Sequence, residues 1–239
     1  MGAHADDELL QTWIDGWSAC RGYEPHRDGR STSVLLTDQQ NQTEHFLFEP
    51  TTERFLELAS ETRQDPGRVL TVVTNRMQEL IDAAQPLRMH VTDRQQSLMS
   101  VDMRGQDVED PRVPGDDYTL QRSSEGACRS VTVHVGGELA ARGSVSVVGD
   151  YAVYDRIVTE EGYRRRGLGS YVMRTLTAGV LEDDITTGLL MASADGRALY
   201  AFLGWQHLAD VFVIEDKGRL RRACGIPDGT IAAWLRRTP

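Results

Sequence analysis

Arg164-Arg165-Arg166-Gly167-Leu168-Gly169-Ser170 is the stretch of this chain whose residue types specify chemistry. It follows an apolar, strand-like run from Val153 to Val158 and opens the helix-like run Tyr171-Val172-Met173-Arg174-Thr175-Leu176. A strand that turns through glycines into a helix leaves several backbone N–H groups unpaired at the first helical turn. The positive end of the helix dipole lies behind them, which makes the bend a ready anion site. Gly167 and Gly169 have no Cβ, so an anion can approach the backbone closely, and three arginines raise the local positive potential. The pattern predicts a pyrophosphate cradle.

Charge distribution favours a small polyanion over a polymeric one. The chain has 239 residues and a net charge of −10, which argues against general nucleic-acid binding by the arginine run. Residues 1–105 hold 17 acids against 10 bases, 106–117 hold 5 against 1, and 118–239 hold 14 against 15. The cradle therefore lies in the one region that is not strongly acidic. His45, His90, His134 and His207 are scattered at no metal-ligand spacing, so no metal is expected. Lys217 is the only lysine, and Cys20, Cys128 and Cys224 read as isolated, reduced thiols. No apolar run approaches the roughly 18 residues of a membrane span, and the first residues carry no basic or apolar leader pattern. A cytoplasmic protein with no membrane or nucleic-acid partner is the expectation.

The elements that must position the cradle follow from periodicity. Leu9, Leu10, Trp13, Ile14 and Trp17 mark a helix from Asp6 to Arg21. Ser33–Thr37 and His45–Phe48 read as a hairpin, Thr52–Thr62 as a helix, Val69–Val73 as a buried strand and Arg76–Ala84 as a helix. Leu87–Val91 and Leu98–Met103 read as a second hairpin. The acidic stretch 106–117, with Pro111 and Pro114, is a linker by composition. Beyond it come strands at Tyr118–Arg122, Ser130–Val135, Leu139–Val148 and Ala152–Val158. After the cradle and its helix, Gly188–Ala192 is a strand, Gly196–Leu203 a helix and Trp205–Ile214 a strand. The order strand, helix, strand, strand over Val69–Met103 recurs over Gly188–Ile214, which suggests a degenerate duplication.

From about Tyr118 to Ile214 the chain resembles the GNAT superfamily of acyl-CoA-dependent N-acetyltransferases. The family's Arg/Gln-x-x-Gly-x-Gly/Ala pattern is present as Arg164, Gly167 and Gly169. About 30 residues later, Ala198-Leu199-Tyr200-Ala201-Phe202-Leu203-Gly204-Trp205 is similar to its "LYxxxGF" segment. The resemblance implies an α/β (α+β) GNAT fold: a central mixed, mostly antiparallel sheet flanked by helices. Residues 118–239 would be the catalytic domain and 1–105 a smaller, degenerate GNAT-like domain, joined by the linker 106–117.

What the resemblance implies for the site is specific. Acetyl-CoA would be the cosubstrate, its pyrophosphate held by Arg164, Arg165, Arg166, Gly167, Leu168, Gly169 and Ser170. Ile157, Val158 and Thr159 would bind the pantetheine arm and thioester oxygen, and Tyr200 would protonate the departing thiolate. Asp155 is the candidate base, placed by strict alternation on the face of Ile157 and Thr159; Glu160 and Glu161 in the loop, reaching the amine through water, are alternatives, and many relatives use no direct base. The chain departs from the family between Arg122 and Ser130, where there is room only for a turn and relatives insert two helices that wall the acceptor site. The N-terminal region would supply that wall. Ser193 stands where the family often has Asn, and the tail 217–239, with Arg219, Arg221, Arg222, Arg236 and Arg237, has no recognised counterpart. The implied function is acetyl transfer to a primary amine by direct attack, with a non-catalytic CoA-binding regulatory module as the alternative. A homodimer is compatible with either.

Overall fold

In the computed structural model, residues 6–29, 31–39, 41–106, 111 and 115–216 are described. Their helices are α1 (Asp7–Ala19), α2 (Thr52–Gln64), α3 (Met77–Ala83), α4 (Leu168–Val180) and α5 (Ala194–Phe202). Their strands are β1 (Pro25–Arg27), β2 (Thr32–Leu36), β3 (Gln42–Phe48), β4 (Arg68–Thr74), β5 (His90–Asp102), β6 (Tyr118–Glu125), β7 (Cys128–Val135), β8 (Glu138–Val148), β9 (Tyr151–Thr159), β10 (Thr187–Ala192) and β11 (Gln206–Glu215). All eleven join one mixed sheet in the order β1-β2-β3-β4-β11-β5-β10-β9-β8-β7-β6. Two pairs are parallel, β3 with β4 and β9 with β10, and each is bridged by a helix, α2 or α4.

The centre of the sheet interleaves the chain. β5, the last strand before the acidic stretch, lies between β10 and β11, and β11 lies between β5 and β4. This replaces the expected hairpin of Leu87–Val91 with Leu98–Met103. Residues 85–87 form a 3-10 turn, and 90–102 form one strand, irregularly registered with β11. The polar run Thr92–Ser97 resembles a turn in sequence because most of it has a strand on one side only. β10 pairs with β5 only from Ser97 to Asp102, while β11 follows it back to His90.

One face of the sheet wraps around α1. Leu10, Ile14 and Trp17 share a core with Phe46 of β3, Val153 of β9, Leu189 of β10 and Val211 of β11. Trp17 meets Phe46 edge-on at 5.7 Å, and the adjacent Gly16 is seated so close to β9 that a Cβ there would lie 2.5 Å from Val153 Cβ. Four strands separate β3 from β9. At about 4.8 Å per strand a flat sheet would hold them ~24 Å apart, about twice a helix diameter. The sheet must therefore curl. Ser146 Oγ fixes the seat by donating to the Gly16 carbonyl at 2.8 Å.

The opposite face carries two further cores. Alternate residues of the same strands, such as Tyr154, Leu190, Val72 and Phe212, turn to this side. α4 and α5 cover the later strands through Leu168, Val172, Leu176 and Tyr200, and α2 and α3 cover the earlier ones through Phe55, Leu58 and Leu80.

A covalent bond ties α1 to the later strands. Cys20, the C-cap of α1, is disulfide-bonded to Cys128 at the start of β7, with Cα atoms 5.0 Å apart. This corrects the expectation of isolated thiols. The partners are 108 residues apart, and only the seating of α1 on β8 and β9 brings them together. Cys224, the acidic residues 107–110 and the arginine-bearing tail 217–239 lie outside the described residues.

Candidate active site

The cradle is an open, uncapped helix start. Gly167 is the N-cap of α4 at φ +79°, and no side chain caps the helix. The first helical bond runs from Tyr171 N–H to Gly167 O at 3.0 Å. Among the described residues, no backbone bond is donated by the amides of Arg165 to Ser170 outside the helix itself. Residues 164–167 are exposed, and nothing lies within 4 Å of where a Gly167 Cβ would stand. Gly169 serves packing instead: a Cβ there would lie 2.9 Å from Leu199 Cδ2 of α5 and 3.7 Å from Thr159 Oγ1 of β9. That contact joins the end of β9, the start of α4 and α5 in one place. Two arginines brace the loop, Arg164 Nε on Thr159 O at 3.3 Å and Arg166 Nη2 on Gly162 O at 3.0 Å.

Next to the cradle, two parallel strands part. β10 pairs with β9 only from Tyr151 to Tyr154, so residues 155–159 keep β8 on one edge and have no strand on the other. Ile157, Val158 and Thr159 line this free edge. A bulge sits at the same point: Ser144 pairs with Asp155 and Arg142 with Val158, leaving Gly143 opposite both Arg156 and Ile157. Arg156 takes up the extra residue at φ +54°.

The bulge overturns the expected placement of Asp155. One inserted residue reverses the alternation, so Asp155 and Ile157 fall on opposite faces. Ile157 packs with the α4 core, near Val172 and Leu176, and Thr159 lies towards Gly169. Asp155 turns instead to the α1 face, where Arg21 holds it with Nε at 2.7 Å from Oδ2 and Nη2 at 2.9 Å from Oδ1. Both side chains are largely buried, at 18% and 12% exposure. Arg21 also lies over the Trp17 ring, 5.2 Å from its centroid. Burial is the largest single influence and opposes the Arg21 charge, but the Asp155 bond and charge together with Tyr23 outweigh it, and the guanidinium is held above its usual pKa.

Tyr200 stands at the same splay. It is buried on α5, its ring 6.1 Å from Trp205, and Gly196 gives it room, since a Cβ there would lie 2.9 Å from Tyr200 Cε2. Desolvation, with the nearby Asp155 charge second, pushes the phenol up to about 12. Ser193 caps α5 by accepting from Gly196 N at 3.2 Å, so serine does the capping at the position where the family often has asparagine. Glu160 and Glu161 lie in the loop, Glu161 exposed.

Four residues from the earlier part of the chain join this neighbourhood unannounced by any motif. Besides Arg21 they are Tyr23, whose hydroxyl donates to Asp38; Asp38 itself, which also receives Arg156 Nη2 at 3.2 Å; and Glu44 of β3, which Arg21 influences through its charge. Nothing in local spacing signals them, because Arg21 reaches Asp155, and Asp38 reaches Arg156, only through the tertiary fold. Among the described residues, no cluster of three His, Cys, Asp or Glu side chains is arranged to hold a metal, and no helix is long and apolar enough to cross a membrane.

An uncapped glycine turn, a splayed parallel pair and a buried tyrosine occur here in the sequence region that matches the acetyltransferase (GNAT) family, residues 96–205. Over those residues the chain is similar to that family, in a match that spans a little under half of its length. Solved structures agree on the fold. A GCN5-related N-acetyltransferase from Kribbella flavida is 14% identical, with a TM-score of 0.58 over 94% of this chain and 95% of that one. A putative GNAT acetyltransferase from Novosphingobium aromaticivorans is 15% identical, with a TM-score of 0.56 over 89% and 100%. A tandem GNAT protein from the clavulanic acid biosynthesis pathway is 15% identical, with a TM-score of 0.51 over 89% and 96%. No curated protein matches the chain significantly in sequence.

Proposed function

We propose that this protein transfers an acetyl group from acetyl-CoA to a primary amine by direct attack, with no covalent enzyme intermediate. The observation that carries the reading is the row of amides from Arg165 to Ser170 that donate no backbone bond outside the helix, at a turn exposed over residues 164–167 beside the free edge of β9. Those amides, the empty space over Gly167 and the three arginines fit a pyrophosphate. Acetyl-CoA supplies the activated thioester carbonyl. The edge at Ile157, Val158 and Thr159 orients the pantetheine arm, and positioning of this kind supplies much of the rate.

Tyr200 holds a proton at Oη through the whole physiological range and is the donor for the departing thiolate. Asp155 faces the acceptor side and is the proposed base, but Arg21 already occupies both of its oxygens and must yield one for that role. That engagement is also what the alternative, a non-catalytic CoA-binding module, would show. α1, seated on β8 and β9, is the wall of the acceptor site. The division of labour follows: 118–239 catalytic, 1–105 a degenerate GNAT-like partner. Cytoplasmic placement remains part of the proposal, and the Cys20–Cys128 bond weighs against it, since disulfides persist mainly in oxidising compartments.

Gly167→Asp tests the cradle. Aspartate tolerates a positive φ but sets a negative charge where the pyrophosphate would lie. CoA affinity measured by calorimetry should fall about 10²-fold, or about 2.7 kcal/mol. Unchanged affinity rejects the cradle. Release of free CoA thiol with an amine panel supports the enzyme, whereas tight CoA binding without turnover supports the module.

A further inference from the structure

The curl of the sheet brings a carboxylate from the early strands to the acceptor side of the splay. Glu44 and Phe46 alternate onto one face of β3, as Thr71 and Val73 do on β4, and Phe46 and Val73 belong to the core around α1. Glu44 and Thr71 therefore share the concave face on which Arg21 grips Asp155. Arg21 links the two carboxylates: it bonds Asp155 and acts on Glu44 through its charge, while Asp155 in turn acts on Tyr200.

Two cations of this face are engaged by other carboxylates, while Arg142 of β8, whose buried Nε has no hydrogen-bond partner among the described residues, lies opposite Val158 at the far side of the splay. Arg21 is held by Asp155 and Arg156 by Asp38. Glu44 receives the Thr71 hydroxyl and, among the described residues, no arginine. Its carboxylate is desolvated by the protein around it, while the residue keeps partial contact with solvent. Desolvation raises its pKa, opposed by Thr71 and then Arg21. An anion so placed lacks a direct counter-charge, and a bound cation would supply one.

We propose that Glu44 is the acceptor-binding carboxylate, receiving the ammonium group of a small acceptor that arrives as a cation. The earlier half of the chain would then contribute specificity to a site whose chemistry lies in the later half. The inference rests on the acetyl-transfer reading above.

Calorimetry on the full chain with saturating CoA separates the two. The probes are benzylamine, tyramine and cadaverine, each against its alcohol counterpart: benzyl alcohol, tyrosol and pentane-1,5-diol. At least one amine should bind about tenfold or more tightly than its alcohol. Glu44→Gln, which keeps an acceptor for Thr71, should erase that preference, and Glu44→Asp should retain part of it, with CoA affinity and melting temperature unchanged. No amine preference in any pair, or a preference that survives Glu44→Gln, overturns the proposal while leaving CoA binding intact. Failure of the unsubstituted protein to bind CoA at all overturns the acetyl-transfer reading and this proposal with it.

Discussion

Two strand–helix–strand units of the same chain sit in one sheet, and only one of them is open. In β9-α4-β10 the strands part after Tyr154, eight residues (160–167) lead to the helix, and Gly167 leaves its first turn uncapped. In β3-α2-β4 the strands stay paired from Thr43 with Arg68 to Phe48 with Val73. Only residues 49–51 precede α2, and Thr51 caps it by accepting from Arg54 N at 3.2 Å. Glu49 closes the other side of that turn, accepting from Asn75 N at 2.6 Å and Thr74 Oγ1 at 2.7 Å. The same topology thus leaves an open splay or makes a closed structural unit according to whether its helix amides and strand edges are satisfied from within.

The largest expected effect comes from separating the units. A 112–239 fragment loses β5 from between β10 and β11 and uncovers the apolar face that α1 occupies. It should be insoluble or lack a cooperative melting transition. A soluble, fully active fragment would show that the closed unit is dispensable to the open one.

Within the open unit, Tyr200→Phe should lower kcat about 10²-fold, the scale of a lost general acid, with little change in CoA affinity. Because Tyr200 stays protonated up to about 12, it contributes no alkaline limb below pH 10, and any such limb should persist in the variant. Unaltered turnover places the acid elsewhere.

The smallest effect belongs to the closed unit. His45, at the paired strands, is pushed down to about 4 by burial and then by the Arg68 charge. The folded protein keeps it neutral where the unfolded chain, at about 6.5, binds a proton. Stability is therefore full above pH 6.5 and falls as pH drops towards 4, by about 1 kcal/mol once solvent screening of a partly exposed ring is allowed for. His45→Gln should flatten denaturant midpoints over that window, and an undiminished slope assigns it to other groups.

Legibility followed the range of the interactions. The helix of Leu10 and Trp17, the arginine–glycine cradle and Tyr200 are each encoded within a dozen residues, and their types announce them. The polar run Thr92–Ser97 suggests a hairpin turn within β5, but its polarity reflects a missing neighbour, not a turn. Alternation puts Asp155 on the face of Ile157 only in an unbroken strand, and Arg156 breaks this one. Arg21 and Glu44 carried no signal at all.

The amino-acid order alone determined the uncapped turn proposed to hold the pyrophosphate: backbone amides need only a local turn to become unpaired, and Gly167, at φ +79°, permits it. The bend of the sheet decided what faces that site. Burying Trp13 and Trp17 against strands from both ends of the chain forces distant segments together, and that closure gives Arg21 its carboxylate, Cys20 its partner and Glu44 its place on the face that Arg21 and Asp155 share.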